Sequence, residues 1–345
     1  MKILIIGGTR RCGPYLVEEL LDRGHEVICY HRGQNNVAFS SRAKQMLGDR
    51  RDREAFKKQM SGLNVEAVVD MIAVNEADVA TVSEVFRNRI RRYLCISSYD
   101  VYEAYDDAWN HRPSLQPVPI SENAPKKKPS RLYESDYDKV PVEEKIVEAQ
   151  KQGYFPTTIL RWPALYGPRD PTPRLWYYVR QALDGRKEIP IPNGGAALFS
   201  KGYLQNMAHS IVLALENTKA EGEIYNVSDE VTLDLRQTVQ TIGEIMDHEW
   251  EIVPVPRALM PKIAQTQGLP FSCDPFDIEP SLLLCISKIK TELGYRDLMP
   301  VRKAMENTVK WLRDNPPQKG EFAVVSYATL DEAIKRYREL VRKAN

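Results

Sequence analysis

The chain has 345 residues, 43% of them hydrophobic and 28% charged, with a net charge of +1. That length and apolar content suit one large α/β domain or two coupled ones, and the near-neutral balance gives no electrostatic case for nucleic acid or an anionic membrane as a partner. Cys12, Cys29, Cys95, Cys273 and Cys285 show no CxxC or metal-ligand spacing, so no metal site is expected, and Cys29 and Cys95 fall in apolar runs that read as core.

The first apolar run, Ile3-Leu4-Ile5-Ile6, leads into Gly7-Gly8-Thr9-Arg10-Arg11-Cys12-Gly13 and then into a helical pattern over 14–23. Strand, glycine turn and helix together cradle a pyrophosphate: the helix N-terminus offers unpaired N–H groups and partial positive charge. Gly7 permits the tight turn and Gly13 the close packing of helix on strand, while the usual central glycine is Arg10. Leu16, Val17, Leu20 and Leu21 share one face of the helix, and Gly24 stops it.

Further strand-like runs at 26–30, 65–71, 92–97 and 157–161 alternate with helical patterns at 52–60, 76–88 and 141–151. The alternation predicts a doubly wound parallel sheet with ligands at the carboxyl ends of its strands. From 103 to 131 the pattern gives way to a polar, proline-rich stretch with the character of a long surface loop or lid, in which Lys126-Lys127-Lys128 read as a solvated surface. Beyond Pro163, helices near 174–184, 203–217, 234–246 and 299–314 predict a smaller lobe over the sheet edge, and a tail helix over 328–343 has Thr329 and Glu332 spaced as its cap. The expected division is a dinucleotide-binding domain over 1–165, with 166–345 forming mainly a substrate lobe and C-terminal helices, some segments returning to the sheet. With no leader and no spanning apolar stretch, a cytoplasmic location is expected.

These pieces resemble the extended short-chain dehydrogenase/reductase superfamily, in its NAD(P)-dependent epimerase/dehydratase group. The resemblance rests on the glycine turn, on Gly48-Asp49-Arg50, on Ile96-Ser97-Ser98-Tyr99-Asp100-Val101-Tyr102, on Arg161-Trp162-Pro163-Ala164-Leu165-Tyr166-Gly167-Pro168 and on Ser287-Lys288-Ile289-Lys290 with Leu293-Gly294-Tyr295. The Gly-Gly-Thr-Arg turn is similar to that of the atypical branch, whose members often lack parts of the usual catalytic set. The resemblance implies a Rossmann-type α/β fold and a catalytic serine at Ser98. It also implies cofactor contacts from Gly7, Thr9, Arg10, Arg11, Cys12, Gly13, Arg32, Asp49, Arg50, Ala73 and Pro163, and a homodimer through helices beside the Tyr137 region. Tyr99, Arg169, Arg174 and Lys201 are the candidates for substrate contacts.

An NAD-binding unit of this type places a carboxylate at the end of the second strand for the ribose hydroxyls. Here that position is His31, followed by Arg32, and Arg10 enters from the glycine turn. Two guanidinium groups without an acid suit a 2′-phosphate, so NADP is favoured over NAD.

The family's general acid/base is a tyrosine with a lysine four residues on. Tyr137 fits the tyrosine position, but the lysine position is then Pro141. Proline prefers a first helical turn, so a helix beginning at 141 is expected, with Lys139 projecting away if the helix were continuous. Without a nearby cation Tyr137 is expected to titrate near about 10. The expectation is an enzyme acting on a sugar nucleotide or related hydroxy compound by transient hydride transfer. The alternatives are a dinucleotide sensor or scaffold of the same fold and, from the resemblance to chloroplast stem-loop-binding proteins, an RNA-binding role.

Overall fold

The computed structural model describes residues 1–345 except 36–41, 111, 113, 115, 130–136, 261–280, 319–325 and 345. In chain order the strands are β1 (Lys2–Ile6), β2 (Glu26–His31), β3 (Lys44–Leu47), β4 (Ala67–Asp70), β5 (Arg92–Ser98), β6 (Thr157–Trp162), β7 (Ala164–Tyr166), β8 (Glu188–Pro192), β9 (Lys201–Tyr203), β10 (Glu223–Asn226) and β11 (Glu251–Val255). The helices are α1 (Gly13–Asp22), α2 (Arg53–Ser61), α3 (Glu76–Phe86), α4 (Glu103–Trp109), α5 (Lys139–Lys151), α6 (Trp176–Leu183), α7 (Leu204–Glu216), α8 (Leu235–Met246), α9 (Ser287–Leu293), α10 (Val301–Asp314) and α11 (Tyr327–Ala344).

Seven strands pair in parallel in the order β10-β6-β5-β4-β1-β2-β3. This is the expected Rossmann-type α/β fold. The two-residue period of β1 explains its two layers: Ile3 and Ile5 pack with Leu16, Val17 and Leu20 of α1 and Ile211 of α7, while Leu4 and Ile6 pack with Phe56, Val79, Val82 and Ile146 on the other face. Strand order reverses between β1 and β4, which opens a crevice at their carboxyl ends. The smaller lobe gathers α6, α8, α10 and α11 on the β8–β11 pair around Trp176, Val179, Ile189, Ile242 and Val309.

Three local expectations are corrected, and one strand is new. The stretch 103–131 is not all loop, because Glu103–Trp109 is helical. The short β3 was not legible, since Lys44–Leu47 is a largely exposed edge strand without apolar alternation. Helix α5 starts at Lys139 rather than at 141: the Asp138 side chain accepts from Val140 N and caps it, and Pro141 sits within the first turn, where its missing N–H costs nothing. The tail helix begins at Tyr327 and takes its cap from Ser326, whose Oγ accepts from Thr329 N at 3.2 Å.

Candidate functional site

The glycine turn is shaped as its sequence requires. Gly7 and Gly8 have φ of +101° and +86°, and a Cβ at Gly13 would stand 2.1 Å from the Gly8 carbonyl oxygen. Cys12, fully buried, precedes α1 without contributing a side-chain cap, whereas α2, α3 and α5 carry Asp52, Asn75 and Asp138. Gly13 N donates to the Arg10 carbonyl at 3.0 Å and Pro14 has no N–H, so what the α1 terminus offers an anion is chiefly its partial positive charge. This cradle fits the pyrophosphate of a dinucleotide.

Beside the glycine turn Thr9, Arg10 and Asn35 are tied together: Arg10 Nε donates to Asn35 Oδ1 at 2.8 Å, and Asn35 Nδ2 donates to Thr9 Oγ1 at 2.9 Å. His31 is held by Gln45 and by the N–H of Gly33. Arg32 lies 3.9 Å from Asp49, whose carboxylate also takes Arg51 and is held below its usual range chiefly by that hydrogen bond. Arg50 does not reach the crevice with its side chain. Its buried guanidinium donates to Asp70 Oδ1 at 2.6 Å and to the Asp78 carbonyl, so it braces β4 against α3. Arg11, in the left-handed region at φ +51°, donates to Thr172 Oγ1 and pairs with Asp170, which Arg174 approaches from the other side at 3.6 Å. The glycine turn is thus linked to the segment after Tyr166-Gly167-Pro168.

At the other end of the crevice, β5 delivers Ser98 and a single 3₁₀ turn over Tyr99–Val101 delivers Asp100. Tyr137, just before the cap of α5, donates to Asp100 Oδ2 at 3.2 Å and also hydrogen-bonds Ser98. Lys139, in the first turn of α5, bends back beneath it. Its buried ammonium donates to the carbonyls of Ala73 and of Ile96 (2.9 Å to Ile96) and stands 5.6 Å from the centre of the Tyr137 ring. A cation is therefore present where counting four residues from Tyr137 had found only Pro141. Tyr137 itself is not near its ordinary value: burial, and then the charge of Asp100, push its hydroxyl well above 10. Lys127 is a further departure from expectation, for it is buried and its charge acts on Asp100.

Pro163 is buried between β6 and β7. Tyr99 packs edge-on against Tyr105 and Phe199, with centroids 4.5 and 5.5 Å away, and walls the site beside Ser98. The three cations expected to meet a substrate each have a contact within the chain. Arg169 lies over the Trp311 ring, Arg174 donates to the Leu165 carbonyl, and Lys201 donates to Thr238 Oγ1 at 3.1 Å. Burial lowers the Lys201 ammonium to about 8.

Between the lobes, Asp229 is buried against Tyr203 N and Asn206 Nδ2, both at 2.9 Å, with Asp297 nearby. Burial first, and Asp297 second, push its carboxyl up to about 7. The folded chain therefore binds a proton that the unfolded chain, near about 3.9, releases. The stabilisation is full below about pH 4 and is lost as pH rises through 7. Asp229→Asn is expected to be less pH-sensitive than wild type, gaining about 1–3 kcal/mol relative to it between pH 5 and pH 8, as read from urea unfolding at each pH.

No helix among the described residues is long and apolar enough to cross a membrane, and no group of side chains among them could hold a metal ion.

Comparison with known proteins places these features in context. The model of the NAD dependent epimerase/dehydratase family matches residues 3–228. The chain is 29% identical over 249 residues to the chloroplast stem-loop binding protein of 41 kDa b of Arabidopsis thaliana, covering 68% of this chain and 60% of that one. It is 28% identical over 173 residues to the uncharacterized protein YbjS of Escherichia coli, covering 46% of this chain and 50% of the relative. The chain thus spans half to three-fifths of the length of these curated relatives. A 3-beta-hydroxysteroid dehydrogenase of Mycolicibacterium neoaurum is 22% identical and is matched over 91% of this chain and 92% of its own. Among solved structures, UDP-glucose 4-epimerase of Thermotoga maritima superposes with a TM-score of 0.68 at 18% identity, covering 92% of this chain and all of that one. The dTDP-glucose 4,6-dehydratase of Bacillus anthracis, solved with NAD, gives 0.67 at 18% identity, covering 91% and 97%.

Proposed function

From the premise that the chain belongs to the NAD dependent epimerase/dehydratase family, we propose that it is an NAD(P)-dependent enzyme acting on a hydroxyl-bearing substrate, a sugar nucleotide or a related hydroxy compound. The observation that carries this reading is the convergence of Ser98, Tyr137 and the buried Lys139 at the carboxyl ends of β4 and β5, in line with an α1 terminus that no side chain caps. Gly7, Gly8 and Gly13 would admit the diphosphate of the cofactor, Thr9, Arg10 and Arg32 its adenosine end, and Ala73 and Pro163 its nicotinamide. Bound there, the nicotinamide supplies a hydride acceptor and donor.

The chain's own residues supply position and proton handling. Ser98 and Tyr137 present two hydroxyls to a reacting oxygen. Lys139 places positive charge beside the Tyr137 ring, where it favours any negative charge developing on the phenol oxygen. The Tyr99–Tyr105–Phe199 wall keeps water from that side.

Calorimetric titration with NADP⁺, NADPH, NAD⁺ and NADH tests the cofactor. Absorbance at 340 nm across a panel of nucleotide sugars and hydroxysteroids then tests the chemistry. Absence of heat and of thermal protection with all four dinucleotides would sink the reading. Binding without any change at 340 nm would favour a sensor or scaffold. The Arabidopsis relative's name, a stem-loop binding protein, supports nucleic-acid binding as a second reading; a stem-loop RNA retained on a filter with a steep salt slope would favour it.

The missing acid after β2 supports NADP over NAD. Arg10→Ala with Arg32→Ala is expected to weaken NADP⁺ binding at least about tenfold while leaving NAD⁺ nearly unchanged, because each guanidinium would contribute a charged hydrogen bond to the 2′-phosphate alone. An equal loss for both cofactors in calorimetry would refute this preference.

A further inference from the structure

The usual partner of a catalytic tyrosine in a site of this kind is a cation, yet the hydroxyl of Tyr137 donates to an anion. Its acceptor, Asp100 Oδ2, lies 3.2 Å away on a carboxyl that is 4% exposed. The backbone holds Asp100 there firmly: Asp100 N donates to Ser98 Oγ at 3.4 Å, closing the 3₁₀ turn after β5. Among the described residues, the groups that act on Asp100 include Ser98, Tyr137 and two lysines from different elements, Lys139 of α5 and Lys127 of the proline-rich segment; those that act on Tyr137 include Asp100, Ser98, Tyr105 and Lys139.

We propose that Asp100 is the proton acceptor of Tyr137, so that the Tyr137–Asp100 pair, braced by Lys127 and Lys139, is the base of this site in place of a lone tyrosinate. The inference rests on the reading of the site as one that takes a proton from a substrate hydroxyl. Balance is simple. The substrate O–H bond breaks and its proton joins the Tyr137 oxygen. The original Tyr137 O–H bond breaks and that proton joins Asp100 Oδ2. Tyr137 ends as it began, Asp100 ends as a carboxylic acid, and one negative charge has moved from the carboxylate to the substrate oxygen.

Three observations favour this route over a resting phenolate. A phenolate would face the Asp100 carboxylate at hydrogen-bond distance, in a site already pushed by burial against a second negative charge. Burial raises the Asp100 carboxyl above its ordinary value, which improves it as an acceptor. Ser98, Lys127, Lys139 and Tyr137 each pull it back, which keeps the carboxylate form available. The buried Lys127 thereby gains a reason to leave the solvent: it steadies the charge on Asp100.

The test is a carbon-13 titration of the full-length protein labelled at aspartate Cγ, without cofactor. The resonance lost in Asp100→Asn is expected to titrate above the ordinary carboxyl range, as burial of the group demands. It should move up again, by about half a unit, in Tyr137→Phe and separately in Lys127→Met, because each variant removes a group that favours the carboxylate. In mixed H₂O/D₂O the same resonance should show an isotope shift from the bridging proton, a readout that needs no substitution. Ordinary titration of Asp100, or no isotope shift together with no response to Tyr137→Phe, would overturn the proposal. Because no cofactor is present, this result is separable from the calorimetry: a protein that binds no dinucleotide could still show the pair, and one that binds it well could still lack it.

Discussion

Arg161→Met is expected to lower the unfolding free energy by about 3–5 kcal/mol, measured by urea denaturation. Arg161, 2% exposed, gives two parallel bonds to Glu143, Nε to Oε1 at 2.8 Å and Nη2 to Oε2 at 2.6 Å. Its remaining nitrogen bonds Tyr102 Oη and the Glu122 carbonyl, and Ser97 Oγ completes the carboxylate at 2.7 Å. The methionine would leave Glu143 as a buried charge that, among the described residues, only Lys126, 3.9 Å away and partly exposed, could answer. The loss should therefore exceed that in the double variant Arg161→Met with Glu143→Leu, where no charge is stranded. If the single and double variants proved equally stable, the pair would not be acting as one unit. The pair also has a positional consequence. Glu143 lies one helical turn beyond Lys139, so the network that holds Glu143 against β5 and β6 holds the start of α5 beneath Tyr137.

Lys139→Met carries the largest expected effect on chemistry. Turnover of any substrate found at 340 nm should fall by about 10²–10⁴, the usual range for disabling positioned acid/base chemistry. The ammonium is the nearest cation to the Tyr137 ring among the described residues and is fixed by two carbonyls, so methionine removes the charge and leaves those carbonyls without their donor. Lys139→Arg is expected to recover little, since a planar guanidinium does not reproduce a point charge in a closed site. Wild-type turnover in Lys139→Met would remove this cation from the proton chemistry altogether.

Much of the amino-terminal half could be read from sequence because its signals are local. Ile3 to Ile6 and the glycine turn follow the period and the backbone demands of one βα unit, and the observed turn has the positive φ values that those glycines imply. What escaped reading depended on tertiary context. Counting along a continuous helix from Tyr137 points Lys139 away, but no helix exists at Tyr137 and α5 begins only at Lys139. The available signal was Asp138, a side chain suited to a cap, which ends the extended segment and turns the next residue inward. Lys127 stands in a run of three lysines, and nothing local separates the one that is buried from its neighbours. Arg50 follows Asp49 directly, yet only packing against Asp70 and Asp78 shows that the two side chains part company. Lys201, Arg169 and Arg174 carry the right charge for a substrate anion, but only the fold shows that Thr238, the Trp311 ring and the Leu165 carbonyl with Asp170 engage them.

The chain's return to its own sheet has a practical consequence. Strand β10, near residue 225, covers the outer edge of β6, and α7 seals α1 from above. A gene cut after residue 165 would thus encode a fragment with a raw hydrogen-bonding border and a bare greasy flank, prone to self-association. Co-expressing the two pieces is the sounder split: the second would supply the missing border and flank and rescue the first into solution.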